Sequence, residues 1–503
     1  MNKFNLSKVA IDLLRQRYSH KGESSEAIFK RVSKALAIRD DKFEKELYDL
    51  MTGGLFLPNS PCIRNAGKKK ACLSACFVLP ISDSIDGIFE TLRNMALIFQ
   101  RGGGTGTNFS SLRPKGASLT SGGTSSGVIS FLQIFDATIN TIKQGGFRKG
   151  ASLATLDFDH PEITDFCRAK LTRQLTNFNL SVMVTDQFMK MATSKKNGSV
   201  ELKHSGKVYN TIPAKDILDL IALGAWVSGD PGLLFFDRIN KDNKYYPQQV
   251  IRATNPCGEI PSLEYGACVL GSINLSKFVE GNNFNFERFY DVAKLATRAL
   301  LNINIINAYP IPQVTKVMQD LNSVGVGLMG FADCLILLGI KYDSQECLDF
   351  IDKLCEPYIK ATEEVAPDSF FKRSIAPTGS LSIIADCSAG IEPIFDTSFE
   401  RRLTIGTIEE TRDIYKSEFC RTAHQVSPEW HLKIQGEFAK FIDAGVSKTI
   451  NAPYNIGVEQ IKKIFVDAWK MGVKGITVFR EGSIEGAWVS TRENSCEGDT
   501  CYL

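Results

Sequence analysis

Apolar residues along the chain recur at two spacings, and the alternation between them predicts an α/β protein. Residues 1–56 place Ile11–Leu14, Leu36–Ile38 and Leu47–Met51 among lysines, arginines and glutamates, which predicts a charged helical cap. Ala71–Pro80 reads as a short apolar strand ended by proline, and Asp83 and Ser84 as the cap of a helix running to Phe99. Strand-like and helix-like pieces alternate over 151–250. Helical patterns cover 128–142, 216–227, 283–310 and 324–365, with Gly325, Gly327 and Gly330 marking close packing or bends. Two late strands, 447–451 and 474–480, flank a helix at 457–471.

Length changes this picture first. A chain of 503 residues exceeds the roughly 250–300 at which a single core stops growing. It needs either several domains or one large α/β unit with appendages. Apolar content of 43% and charged content of 23% are those of a globular protein. A net charge of +3 gives no sign of a nucleic-acid or membrane surface. The start of the chain has no apolar signal core, and no apolar run is long enough to span a bilayer. Thirteen cysteines without a secretory leader point to free thiols in a reducing, cytoplasmic setting. Cys72 and Cys76 could form half a zinc site, but no second pair of similar spacing lies near, and the five histidines lack metal-ligand spacing. No metal site is expected.

The candidate chemistry centres on Asn255-Pro-Cys-Gly-Glu259. In an extended chain, side chains two apart point the same way, so Asn255, Cys257 and Glu259 share one side. Pro256 argues against a central strand and Gly258 permits a tight turn. A thiol between an amide and a carboxylate suits either thiolate attack or hydrogen-atom transfer through a thiyl radical. The carboxylate would raise the thiol pKa, which disfavours the thiolate and leaves the radical untouched. A buried packing cysteine in a turn is the bland alternative.

Other stretches offer anion contacts. Leu57–Cys62 is a Pro-bounded loop that presents Ser60. Arg101-Gly-Gly-Gly-Thr-Gly106 reads as a helix C-cap and turn, and only weakly as a phosphate loop. Two Gly-rich loops, 113–127 and 143–151, bracket one helix. They could hold an anion through backbone N–H groups with Lys143 or Arg148, or could simply be surface linkers. Ser374–Ser382 looks like a strand–turn–helix junction. There Thr378, Gly379 and Ser380 form a phosphate cradle or an ordinary N-cap. Cys496 and Cys501 in the polar end of the chain read as a reversible dithiol on a mobile arm, residues 486–503.

Pro58-Asn-Ser-Pro61, Ser74-Ala-Cys-Phe77, Asn255–Glu259 with Cys268 downstream, Pro377-Thr-Gly-Ser380 and Lys474-Gly-Ile-Thr477 together resemble the catalytic subunit of ribonucleotide reductase, most closely the adenosylcobalamin-dependent branch. The resemblance runs from about Leu57 to Arg480, plus the tail. It implies a ten-stranded α/β barrel over residues 57–485, built of two antiparallel halves of parallel strands around a catalytic finger loop. It implies that Cys257 carries the thiyl radical, that Glu259 is the general base for the ribose 3′-hydroxyl, and that Asn255 holds the substrate hydroxyls. Cys76 and Cys268 then supply the reducing equivalents. Cys496 and Cys501 reduce their disulfide and are reset by thioredoxin, a glutaredoxin-like protein or another external dithiol. Ser60, Thr378, Gly379 and Ser380 contact the substrate phosphates. Asp83, Lys143, Gln144 and Arg148 contact a deoxynucleoside triphosphate effector at a homodimer interface. Phe147-Arg-Lys149 departs from the family's Lys-Arg-Arg, which touches base selection.

The radical source is read from what the chain lacks. Branches that use a separate metal-containing subunit carry a Tyr-Tyr pair near the last barrel strands, whereas Ile476–Arg480 has no tyrosine. Tyr245-Tyr246 stands in the wrong context, and no glycyl-radical motif is present. The resemblance therefore implies reduction of ribonucleoside di- or triphosphates with adenosylcobalamin. The Cys-x4-Cys ending keeps open a subunit-dependent enzyme. The first 56 residues are too short for an ATP cone, so no overall on/off regulation is expected. A thiol oxidoreductase would leave the Asn–Cys–Glu triplet unexplained, and a degenerate nucleotide-binding protein would have lost one of the five matched catalytic residues.

Overall fold

The computed structural model describes residues 6–20, 22–144, 148–149, 151–172, 175–196, 198–403 and 406–483. These fall into two compact units. One gathers the described residues up to Ala75 with Ala267–Lys448, and the other gathers Cys76–Gly266 with the described part of Thr449–Ile484. Ten strands make the two main sheets: β1 Phe56–Pro58, β2 Cys76–Val78, β3 Gly104–Asn108, β4 Ser152–Asp157, β5 Phe178–Val184, β6 Gly232–Phe235, β7 Leu270–Asn274, β8 Gly325–Met329, β9 Thr449–Ala452 and β10 Gly475–Arg480.

In the first unit the sheet order is β1–β7–β8, with β1 antiparallel to β7 and β7 parallel to β8. Single parallel bridges, Val326 to Arg373 and Ile375 to Val446, carry the pattern onward. The helix Ser25–Ala37 buries Ile28, Phe29, Val32 and Leu36 on one face, and Ser24 caps its start. Asp40 caps the next helix, Asp41–Thr52, by accepting from the Phe43 N–H. Both helices share one core with the sheet and with the long helices Phe286–Ile306 and Gln345–Val365. Phe29, Phe43, Phe289 and Tyr358 in that core are fully buried.

In the second unit the order is β9–β10–β6–β5–β4–β3–β2. All neighbours are parallel except β6 and β10, which meet antiparallel. β4 and β5 are buried along almost their whole length, as parallel strands covered on both faces must be. This is the expected junction of two oppositely directed sets of parallel strands. No ladder among the described residues closes either sheet on itself.

Several local expectations change. Residues 325–329 are strand β8 and not part of a helix; helices follow at Phe331–Leu338 and Gln345–Val365. Gly327 explains the difference. A Cβ there would stand 2.6 Å from the Ser374 carbonyl oxygen, so the glycine admits a neighbouring backbone within a sheet. Leu57–Cys62 is no loop. β1 runs into the helix Ser60–Asn65, whose Cys62 N–H is capped by Asn59. Arg101–Gly106 is a turn only in its first half, and Gly104 and Gly106 belong to β3. Among the described residues no helix is long and apolar enough to cross a membrane.

Candidate active site

The Asn255–Glu259 loop leaves the two-residue strand Ala253–Thr254 and returns through Pro261–Ser262, which pairs with it. The Asn255 side-chain carbonyl accepts from the Ile260 N–H (2.9 Å) and from the Thr254 hydroxyl (3.1 Å). The Gly258 N–H closes a turn onto the Asn255 carbonyl, with Gly258 at φ +82. Asn179, on β5, donates to the Pro256 carbonyl at 3.1 Å and pins the outer side of the turn. Nothing in the sequence marks Asn179.

The glycines of β3 make room for this loop. A Cβ on Gly106 would sit 1.7 Å from the Thr254 carbonyl oxygen. One on Gly104 would face Pro256 at 3.2 Å and Cys76 Sγ at 3.6 Å. Cys76, at the start of β2, and Pro256, next to Cys257, thus lie over the same glycine. The two-residue spacing of Gly104 and Gly106 is the signal that could have revealed this, because it puts both on one face of a strand.

Burial sorts the polar groups. Asn255 is fully buried and Glu259 is 3% exposed. Desolvation pushes the Glu259 carboxyl up to about 7, against a smaller downward pull from the Asn255 amide. That is the range in which a carboxylate works as a general base at neutral pH. Cys257 is the one exposed thiol among the described cysteines. Cys76 is half-buried and the others are buried. A Cβ on Gly258 would meet nothing within 4 Å. The tip of the loop therefore presents an accessible thiol beside open space, which fits a bulky radical-generating cofactor approaching the Pro256–Gly258 turn.

The first unit holds Cys268 and the expected phosphate contacts. Cys268 is buried, 1% exposed, just before β7. Thr378 stands at φ +57 immediately before the helix Gly379–Ala385, and its hydroxyl accepts from the Gly390 N–H at 2.7 Å. It makes no ordinary N-cap bond, which removes that alternative. Loop 388–392 behind it is anchored twice. Asp333 accepts from the Ser388 N–H (2.8 Å), and Glu392 pairs with the fully buried Lys448. Ser60 begins the helix Ser60–Asn65, and its Oγ is 2.9 Å from the Tyr18 hydroxyl.

The expected effector residues divide. Asp83 does not cap the helix Ile85–Gln100; Ser84 does. Asp83 instead forms an ion pair with Arg113 (2.8 Å) and accepts from the Arg113 N–H, tying down the start of the 113–127 loop. Lys143-Gln144 and Arg148-Lys149 pair as short antiparallel strands; their side chains lie outside the described set. Cys496 and Cys501 also lie outside the described residues. A separate cavity of about 660 Å³ in the second unit, lined by Asn108, Asp157, His160, His204 and Arg252, contains none of the expected catalytic residues.

Comparison with known proteins finds matches along nearly the whole chain. Residues 74–362 and 371–479 match the ribonucleotide reductase barrel domain, and residues 4–71 match the ribonucleotide reductase all-alpha domain. The vitamin B12-dependent ribonucleoside-diphosphate reductase of Mycobacterium tuberculosis is 35% identical over 97% of this chain and 81% of its own length. The protein of the same description from Thermoplasma acidophilum is 39% identical over 86% of this chain and 65% of its own. The ribonucleoside-diphosphate reductase large chain of Schizosaccharomyces pombe is 27% identical over 64% and 44%. With both domains matched and the Asn–Cys–Glu loop seated on its glycine strand, the chain belongs to the ribonucleotide reductase family.

Proposed function

We propose that the chain reduces ribonucleotides to 2′-deoxyribonucleotides with adenosylcobalamin as radical source. The observation that carries this is the exposed Cys257 thiol two residues from a buried Glu259 poised near neutrality. The relatives' description as vitamin B12-dependent ribonucleoside-diphosphate reductases supports cobalamin over a separate radical subunit, and diphosphates as substrates.

Adenosylcobalamin, when bound beside the exposed Cys257, would supply the radical chemistry that converts this thiol to a thiyl. The chain's own groups do the rest. The Cys257 thiyl removes the ribose 3′-hydrogen while Glu259 takes the 3′-hydroxyl proton, with Asn255 orienting the hydroxyls. The 2′-hydroxyl leaves as water, using a thiol proton. Cys76 and Cys268 give two electrons and two protons overall and become a disulfide, one proton leaving in the water and one hydrogen ending on the 2′-carbon. Glu259 returns its proton to the 3′-oxygen, and Cys257 returns its hydrogen to the 3′-carbon. The Cys496–Cys501 pair reduces that disulfide by thiol exchange, and thioredoxin, a glutaredoxin-like protein or another external dithiol resets it. Thr378, Gly379, Ser380 and Ser60 hold the phosphates. Asp83, Lys143, Gln144 and Arg148 form the deoxynucleoside triphosphate site. Exposed Ile85 and Phe89 on one helix and Ile134 on the next supply an apolar face for a second copy. The setting is the reducing cytoplasm.

The test is a substrate deuterated at the ribose 3′-carbon. A primary isotope effect on kcat/KM, with no turnover by Cys257→Ser, is expected. Turnover by the serine variant would overturn the assignment.

A further inference from the structure

Tyr18 bonds one of these phosphate contacts from outside the expected site. It ends a π-helical turn, Leu14–Tyr18, in which the Ser19 N–H bonds the Leu14 carbonyl. Such turns recur at functional sites. The Tyr18 ring is 4% exposed, so the backbone and packing fix where its hydroxyl goes. That hydroxyl lies 2.9 Å from Ser60 Oγ.

The surrounding bonds tie the two segments together. Arg31 donates to the Ala66 carbonyl (2.7 Å), the Ile63 carbonyl (3.3 Å) and the Tyr18 carbonyl (3.4 Å). The same guanidinium grips the Glu23 carboxylate at 2.9 and 3.1 Å. Arg64 donates to the Arg17 carbonyl (3.2 Å), and the His20 ring bonds the Arg64 carbonyl. The turn that carries Tyr18 and the helix that carries Ser60 are held in register on both sides of the Tyr18–Ser60 pair.

We propose that Tyr18 is a positioning residue for substrate phosphate, acting through Ser60. The inference rests on the reading of Ser60 as a phosphate contact. A phosphate oxygen only accepts, so Ser60 must spend its single proton on the ligand. Its Oγ then needs a donor behind it, and the Tyr18 phenol is in place to be that donor. Donation from Tyr18 polarises the Ser60 O–H and selects one rotamer of a side chain that otherwise has three.

The experiment is a double-mutant cycle on the full-length enzyme, using Tyr18→Phe, Ser60→Ala and both together. Two quantities are read: KM and kcat for CDP with adenosylcobalamin and dithiothreitol, and the dissociation constant of CDP from the cofactor-free protein. Tyr18→Phe keeps the buried ring and removes one neutral hydrogen bond, so KM and the dissociation constant rise roughly three- to ten-fold with kcat within about two-fold. Ser60→Ala raises both constants by at least as much. In the Ser60→Ala background, Tyr18→Phe changes neither by more than about two-fold. Equal effects of Tyr18→Phe in both backgrounds would overturn the proposal, because the hydroxyl would then act independently of Ser60. No effect of Tyr18→Phe with a clear effect of Ser60→Ala would overturn it while sparing the phosphate reading. No effect of Ser60→Ala would remove both.

Discussion

Burial sets how tightly the Glu259 carboxyl holds its proton. Desolvation lifts its carboxyl to about 7 from an ordinary 4.5, so the proton-accepting form is gained as pH rises through neutrality. The account predicts an acidic limb in kcat/KM near pH 7, and a roughly 10²–10⁴-fold loss of kcat in Glu259→Gln. The same shift acts on stability. The folded state holds this proton more tightly than the unfolded state between 4.5 and about 7. Its stabilising contribution is full below 4.5 and is lost as pH rises through about 7. Glu259→Gln should therefore melt higher relative to the parent at pH 8 than at pH 5; an unchanged difference in melting temperature across that range would show that Glu259 is not desolvated. The Asn–Cys–Glu triplet was legible in the sequence as a set of residues, but its extended geometry was not borne out. The segment is a turn, with the Gly258 N–H on the Asn255 carbonyl, so Asn255 and Glu259 are buried while Cys257 is exposed. Asn179 was not legible, because its bond to the Pro256 carbonyl depends on a strand far away along the chain.

At the scale of elements, glycine spacing decides where the catalytic loop rests. Gly106→Ala would press a methyl against the Thr254 carbonyl. It should cost about 1–3 kcal/mol in urea unfolding and lower kcat with it. Unchanged stability and activity would show that the loop does not need this seat. Reading Arg101–Gly106 as a turn missed this, because a glycine run carries no hydrophobic period, and it is the opposing backbone that calls for the glycines. β8 was hidden inside a helical pattern for the same reason. Its all-buried Gly-Val-Gly-Leu-Met run has no alternation, and it is the pairing with β7 and the Ser374 carbonyl opposite Gly327, both far away along the chain, that make it a strand. The Pro-Thr-Gly-Ser junction was legible as the start of a helix, and the Gly390 bond that holds Thr378 at positive φ was not. Thr378→Val keeps the shape and leaves the Gly390 N–H without this acceptor. It should destabilise the fold by about 1–3 kcal/mol and raise the KM for nucleotide; a KM equal to the parent's would remove Thr378 from the phosphate site.

At the scale of the whole molecule, parallel strands meeting an antiparallel partner at β6 and β10 fit the barrel expected from the family resemblance. Periodicity alone predicted only alternating strands and helices, since strand order is set by contacts between distant segments. The proposed tail chemistry belongs to this scale as well. A chain ending at Ser483 should turn over with dithiothreitol and lose turnover with thioredoxin; equal rates with both reductants would remove Cys496 and Cys501 from the cycle. The central claim is a cobalamin-initiated radical on Cys257. Its most direct test is anaerobic reduction of CDP with dithiothreitol, with and without adenosylcobalamin, for the parent and for Cys257→Ala. The account predicts deoxycytidine diphosphate only in the parent and only with the cofactor. Product without the cofactor, product from the alanine variant, or no product from the parent with the cofactor would contradict it.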